Sequence, residues 1–570
     1  MIVQTRYRYF VNAAFWWTGI LGGVFFISCN NATLPKEEKV ETAEEIDATA
    51  GALISDYVDK ALSDSGKVNG SFWLGQTQLV KAVYERRGFT TQWSEKDSLF
   101  PVGDSLIAFI RHSRNYGLFP ENYHYSLLDS LRRRIGTLGG KLDAVTWGET
   151  DILLTDAFAQ LLHDIKIGRL PADSVTGRED STLSETILTD QFDFLLRGKS
   201  LSTIVSQLEP RHTGYKLIKE AIPAFLASAR FDKEWTKVPF PVKDSALFRE
   251  KLFRRLQEEG LIPDSLTIPD RAQMITALKT YQKANGLTDD GRIGAQTAQR
   301  LNSSDQDRFF QLAITLDRYK LLPPEMPEKY LWVNIPSYQL SLVEKEEVIL
   351  QSRIVVGKPI TRTPVLTSAI SQMITYPQWT IPTSIIAKEI LPALKKDPGY
   401  LARKGYSLIN GEGEEVDPYL VDWSKYSKGI PYKVVQGSGD DNALGILKFN
   451  FNNKYSVYLH DTNQRYFFSR AERALSHGCV RVQSWKELAD FIIRNDSTEA
   501  VEKSNRNFLP SDSLSKWLIN KEKHTIAIRN RIPVFIRYFT CEAKEGRLTF
   551  YDDIYQEDAL LKKHYISAKN

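Results

Sequence analysis

The chain has 570 residues, of which 42% are hydrophobic and 25% charged. That length predicts several domains, each able to bury a core. A formal net charge of only +4 and the lack of a long basic stripe argue against nucleic acid as a partner.

Residues 1–29 differ from the rest. Arg6 and Arg8 give a positive start, and 10–28 is uncharged and mostly apolar, ending in FFISC. This pattern predicts a secretory signal. The pair Ser28-Cys29 resembles a bacterial lipoprotein processing site, which implies lipidation of Cys29; Phe26 stands where that pattern prefers leucine. An uncleaved signal anchor is the alternative, since a run of about 19 apolar residues just spans a bilayer. Either route exports the chain and ties it to a membrane. The polar, acidic residues after Cys29 predict a flexible tether over 30–69.

From 70 to 235 the sequence predicts an all-α scaffold. LVKAVYERRGF, DSLIAFIRHSRNYGL and DILLTDAFAQLLHDIKIG place apolar residues three and four apart. His112, His124 and His163 are scattered, with no metal-ligand spacing, and read as structural or exposed.

Residues 244–303 predict a compact helical unit. Asp270 and Gln273 form a capping box before RAQMITALKTYQKANG, Gly286 ends that helix, and DDGRIG turns into a short helix, AQTAQRLN. The spacing of carboxylates around Asp289-Asp290-Gly291 is wrong for a calcium loop. The order of these segments resembles the three-helix peptidoglycan-binding module of cell-wall enzymes.

From 328 to 500 the character becomes β. KYLWVNIPSYQLSLVE, VILQSRIVVG and KYSVYLHD carry the β-branched and aromatic residues of a sandwich or barrel. An insertion at about 384–432 reads equally as a lid or a surface excursion. Residues 505–570 predict one helix and further strands that extend this unit. The fold class is therefore multidomain α+β.

Three cysteines occur: Cys29, Cys479 and Cys541. So few in an exported chain exclude a disulfide framework. Cys541 lies in the strand-like PVFIRYFTCEA and reads as packing. Cys479 lies in RALSHGCVRV, behind Ser476, His477 and Gly478, just upstream of a helix. Those surroundings favour an ionisable thiol. Gly478 permits a sharp turn and close substrate approach, and backbone N–H groups there could hold an oxyanion. A strand ends at His460, 19 residues earlier. On the residues alone, either His460 or His477 could take the thiol proton.

HDTNQRYFFSRAERALSHGCVRV closely resembles the active-site signature of the L,D-transpeptidases, the ErfK/YkuD family. The resemblance implies that Cys479 is the nucleophile and His460 the general base. It implies that the backbone carbonyl of Asp461 orients the imidazole, and that Ser476, His477, Gly478 and Arg481 shape the oxyanion and substrate contacts. The order of scaffold, module and catalytic unit is similar to the large Gram-negative members. That implies a periplasmic enzyme making 3→3 cross-links between peptidoglycan stem peptides, with no metal or organic cofactor. An L,D-carboxypeptidase, a protein-to-wall ligase and a non-catalytic wall-binding scaffold are the alternatives.

Overall fold

The computed structural model describes residues 38–68, 70, 72–173, 176, 182–267, 270–502 and 512–566. The expected signal over 1–29, Cys29 and the start of the tether lie outside the described residues. Within them, no helix is long and apolar enough to cross a membrane.

The tether expected over 30–69 requires correction. Residues Ala43–Ser63 form a helix, α1, with Ile46, Ala50, Ile54, Tyr57, Val58 and Ala61 buried. Those positions recur every three to four residues, an amphipathic stripe that the acidic residues between them hide in a compositional reading. The stripe packs onto the central scaffold helix α2 (Ala144–Lys166), almost every residue of which is buried. Polar groups in that core are paired: Asp151 accepts from the Tyr84 hydroxyl at 2.6 Å and from the Gln92 and Trp93 amides. His124 and His163 bond the buried carboxylates of Asp156 and Asp164.

Helix α3 (Thr213–Ser228) leads to three short helices, α4 (Ser245–Glu258), α5 (Arg271–Ala284) and α6 (Ala295–Asn302). These share a separate small core around Leu256, Leu278, Tyr281 and Leu301. The capping box at Asp270 and Gln273 is formed, and Gly286 takes the positive φ of a helix stop. A further helix, α7 (Asp305–Tyr319), is buried on most of its surface. Its Phe309, Leu312, Leu316 and Tyr319 join α3 to the C-terminal strands, and Cys541 is buried in that same cluster.

The β unit is one nine-stranded sheet. Its strands are β1 (Lys329–Asn334), β2 (Gln339–Glu344), β3 (Glu347–Gly357), β4 (Leu366–Thr375), β8 (Leu447–Phe451), β9 (Leu459–His460), β10 (Ala474–Ser476), β11 (Val480–Val482) and β12 (Thr525–Arg537). The order is β10-β3-β11-β9-β8-β4-β12-β1-β2, and β2 also pairs with β3. That last pairing closes eight of the strands into a barrel and leaves β10 paired on one side only, with β3. Long β3 serves both ends, meeting β2 with its first half and β11 and β10 with its last residues. The interior is filled by Leu331, Val333, Leu340, Ile354, Phe449, Leu459, Val480 and Val534, among others.

The insertion is a folded subdomain. Strands β5 (Trp379–Thr380), β6 (Tyr406–Ile409) and β7 (Lys433–Gln436) form a three-stranded sheet, and Ile386, Ile390, Leu394, Leu408 and Trp423 give it a core of its own. After β12, a hairpin of β13 (Cys541–Lys544) and β14 (Arg547–Phe550) and a short helical tail finish the described chain.

Candidate active site

Strand alternation builds the site. Strands β9 and β11 run parallel, with Leu459 opposite Val480 and His460 opposite Arg481. Leu459, Val480 and Val482 are fully buried in the barrel core. With a period of two, Tyr458, His460, Cys479 and Arg481 must then share the other face. The nineteen-residue separation seen in the sequence thus collapses to adjacent strands.

The turn before β11 is tightly held. Gly478 has φ of +121°, a conformation that other residues rarely adopt. The Ser476 hydroxyl accepts from the Gly478 amide at 3.1 Å and donates to the Cys479 carbonyl at 2.6 Å. The Lys358 amide and the Thr361 hydroxyl both donate to the Ser476 carbonyl at 3.0 Å. Thr363 accepts from the Gly357 amide at 2.9 Å and donates to the Gly478 carbonyl at 2.8 Å. Behind it, the Tyr555 hydroxyl accepts from the Thr363 amide and donates to the Gly357 carbonyl at 2.7 Å. The C-terminal tail therefore braces the cysteine turn.

His460 is buried, and its Nδ1 lies 2.5 Å from the Asp461 carbonyl. Nδ1 donates there, so Nε2 carries the free lone pair. Burial, with Arg481 and Lys448 nearby, pushes the imidazole pKa down to about 3. Burial pushes the Cys479 thiol up, opposed by hydrogen bonds from Tyr458 and by Lys448 and Arg481. The sequence suggested a thiol ready to ionise; the structure instead favours the neutral thiol, because desolvation outweighs the nearby cations, and the neutral imidazole, because desolvation and those same cations act together. Sγ is turned toward the Ser456 carbonyl at 3.9 Å and toward Tyr458, so it shares a face with His460 without bonding it.

His477 points elsewhere. Its Nε2 bonds Glu389 of the insertion at 2.7 Å. Arg481 donates to Thr462 and Gln464 and lies over the Phe467 ring, with no carboxylate partner among the described residues. Asp461 uses its side chain to receive the Ile446 amide and Arg465.

Sequence reasoning missed four contributors. Tyr458 hydrogen-bonds the sulfur, and Lys448 lies 3.8 Å from the Tyr458 ring centroid. Trp379 faces the Tyr458 hydroxyl from β5, its indole N–H buried and short of hydrogen-bond geometry. Glu389 is the fourth. Tyr458 alone had a local signal, since it stands two residues before His460 on the same strand face.

Similarity to known proteins covers the segment that carries this arrangement. Residues 328–501 match the family described as "L,D-transpeptidase catalytic domain". Residues 78–222 match a scaffold domain, and 249–301 match a "Putative peptidoglycan binding domain". A Haemophilus influenzae protein named "Putative L,D-transpeptidase" is 34% identical over 277 residues, covering 48% of this chain and 54% of the relative. The chain thus spans about half the length of that curated relative. Among solved structures, the Ldtfm–avibactam carbamoyl enzyme is 14% identical, with a TM-score of 0.16 over 38% of this chain and 50% of that one. A cysteine-to-serine mutant of the Enterococcus faecium L,D-transpeptidase is 13% identical, with a TM-score of 0.14 over 38% and 51%. Overlaps this slight add nothing to the argument.

Proposed function

We propose that the chain is an exported peptidoglycan L,D-transpeptidase in which Cys479 is the nucleophile and His460 the general base. The observation that carries this is the shared strand face, which puts a half-buried thiol on the same side as an imidazole whose ring is fixed by backbone contacts to Asp461 and Leu444. The reaction requires the Cys479 side chain to rotate away from Ser456 and bring Sγ to the imidazole; such contacts often tighten only when substrate binds.

Sγ attacks the carbonyl carbon of the diamino acid at position three of a tetrapeptide stem while its proton passes to His460 Nε2. The resting imidazole is neutral and has a lone pair to offer, but its depressed basicity has to rise as negative charge develops on sulfur and substrate beside it; the new imidazolium is then stabilised by the Asp461 carbonyl. The proton then goes to the departing D-alanine amine, leaving a thioester on Cys479. The side-chain amine of a second stem attacks that thioester, gives its proton to His460 and forms the 3→3 cross-link; the thiolate leaves and is reprotonated. The test is mass spectrometry of the exported portion after incubation with a carbapenem. An adduct that Cys479→Ala abolishes, and that His460→Ala slows by orders of magnitude, is expected. A folded protein that gains no adduct refutes the proposal. Wall digests showing free D-alanine without 3→3 dimers would replace cross-linking by trimming.

A further inference from the structure

A second site stands away from the cysteine. A cavity of about 510 Å³ opens where α3, the C-terminal end of α5, α7 and the β13–β14 hairpin meet. Its walls are mixed, with Phe225 from α3 and Leu548 from β14 supplying apolar surface between polar groups. Four cations line it: Lys283, Arg300, Arg308 and Arg547. No carboxylate lines it. The two acidic groups paired with these cations, Asp552 with Arg300 and Asp305 with Arg308, each stand off at 3.6 Å. Lys283 and Arg547 have no ion-pair partner among the described residues. Arg300 is nine-tenths buried, and the Nε of Arg308 is buried with no acceptor.

Burial and the neighbouring Arg308 both depress the Arg300 pKa, so the two guanidinium groups repel one another in a place poor in water. A fold that keeps such a cluster under-neutralised gains if an anion enters. The apolar patches at Phe225 and Leu548 leave room for short alkyl groups beside the charge of such a ligand. We propose that this cavity binds the free carboxylates of a peptidoglycan stem peptide, so that the three-helix module and the catalytic unit hold the wall jointly at their seam. The proposal rests on the peptidoglycan reading above.

The test uses the full chain with Cys479→Ala, which cannot turn over, titrated calorimetrically with a free tetrapeptide stem, with its fully amidated form and with inorganic phosphate. Lys283→Gln and Arg547→Gln are combined in the same background; both side chains are exposed, so the fold is untouched. One of two binding events is expected to weaken about fivefold in this double variant, the combined effect of losing two exposed charge contacts. The amidated peptide is expected to lose the same event. Unchanged isotherms would overturn the assignment and leave acyl transfer standing. Phosphate binding more tightly than the peptide would overturn the carboxylate assignment in favour of a phosphate ligand. Conversely, a Cys479-bearing chain that resists acylation while this site still binds would refute the transpeptidase and leave the cavity.

Discussion

Thr363→Val tests whether the C-terminal brace matters for the chemistry. The substitution keeps the shape of the side chain and deletes one hydroxyl. Thr363 is 2% exposed, and that hydroxyl satisfies both the Gly357 amide and the Gly478 carbonyl. Leaving a buried backbone group unpaired costs about 1–3 kcal/mol, so two of them bring the expected loss to ~2–6 kcal/mol. Much of that loss falls on one turn, since the freed Gly478 carbonyl belongs to the peptide linking Gly478 to Cys479. Rotation of that peptide would displace the Cys479 amide, the group nearest a developing oxyanion. Acylation by a carbapenem, followed by stopped flow, is therefore expected to slow tenfold or more at saturating reagent, with a smaller change in apparent affinity. Thr363→Ser restores the hydroxyl and is expected to restore the rate. Urea unfolding separates the two effects. A Thr363→Val protein that loses stability yet acylates at the native rate would refute the brace as a positioning device.

Three further outcomes are expected. First, because His460 titrates near 3, carbapenem acylation should show no acid limb at the ordinary histidine pKa and stay level from pH 7.5 to 5; a fall centred near 6.5 would contradict the buried, neutral imidazole. The linked stability has a definite sign: below 6.5 the unfolded chain binds a proton that folded His460 refuses, so stability falls with acid, by ~2 kcal/mol between pH 6.5 and 5. Second, Tyr458→Phe removes a hydroxyl that hydrogen-bonds Cys479, and acylation should slow about 10- to 100-fold if that bond strengthens as charge develops on sulfur; a native rate would reduce Tyr458 to packing. Third, Ile54→Ala, at a fully buried position of α1, should lower the unfolding free energy by about 2–5 kcal/mol in urea titrations, whereas a residue in a flexible tether would change it by less than ~0.5 kcal/mol.

What the sequence revealed of the site was what local periodicity carries. The strand ending at His460 and the Gly478 turn are each read within ten residues, and alternation then dictates that Tyr458 lies with His460. Thr363 and Glu389 reach the turn from 115 and 88 residues away. Tyr555 reaches β3 from 198 residues away. No local pattern encodes such pairings, because only the closed topology creates them. The helix α1 escaped for a different reason: its apolar stripe was legible by spacing but diluted by Glu44, Glu45 and Asp47 in a reading that weighed composition first. Helix α7, over 305–319, fell between segments that were read for other signals, although its buried face is nearly continuous.

The closing strand shows what that topology demands of the chain beyond the family match. The matched residues end at 501, yet β12 lies at 525–537 between β4 and β1. Without it the barrel would open along two strands, exposing Ile370, Met373, Leu331 and Val333, each of which is fully buried. Strand β12 also leads directly to Tyr538, whose hydroxyl receives the Tyr555 amide and donates to Asp553. Arg318 of α7 pairs with Asp558 at 2.7 Å just beyond. The segment that closes the barrel is thus continuous with the one that braces the cysteine turn, and it is pinned by a helix that also packs on the scaffold. Trimming the chain at the end of the family match would remove a wall of the barrel and the support of Thr363 together. The barrel and the brace are therefore continuous, and the cysteine turn is held in its observed shape through the C-terminal residues.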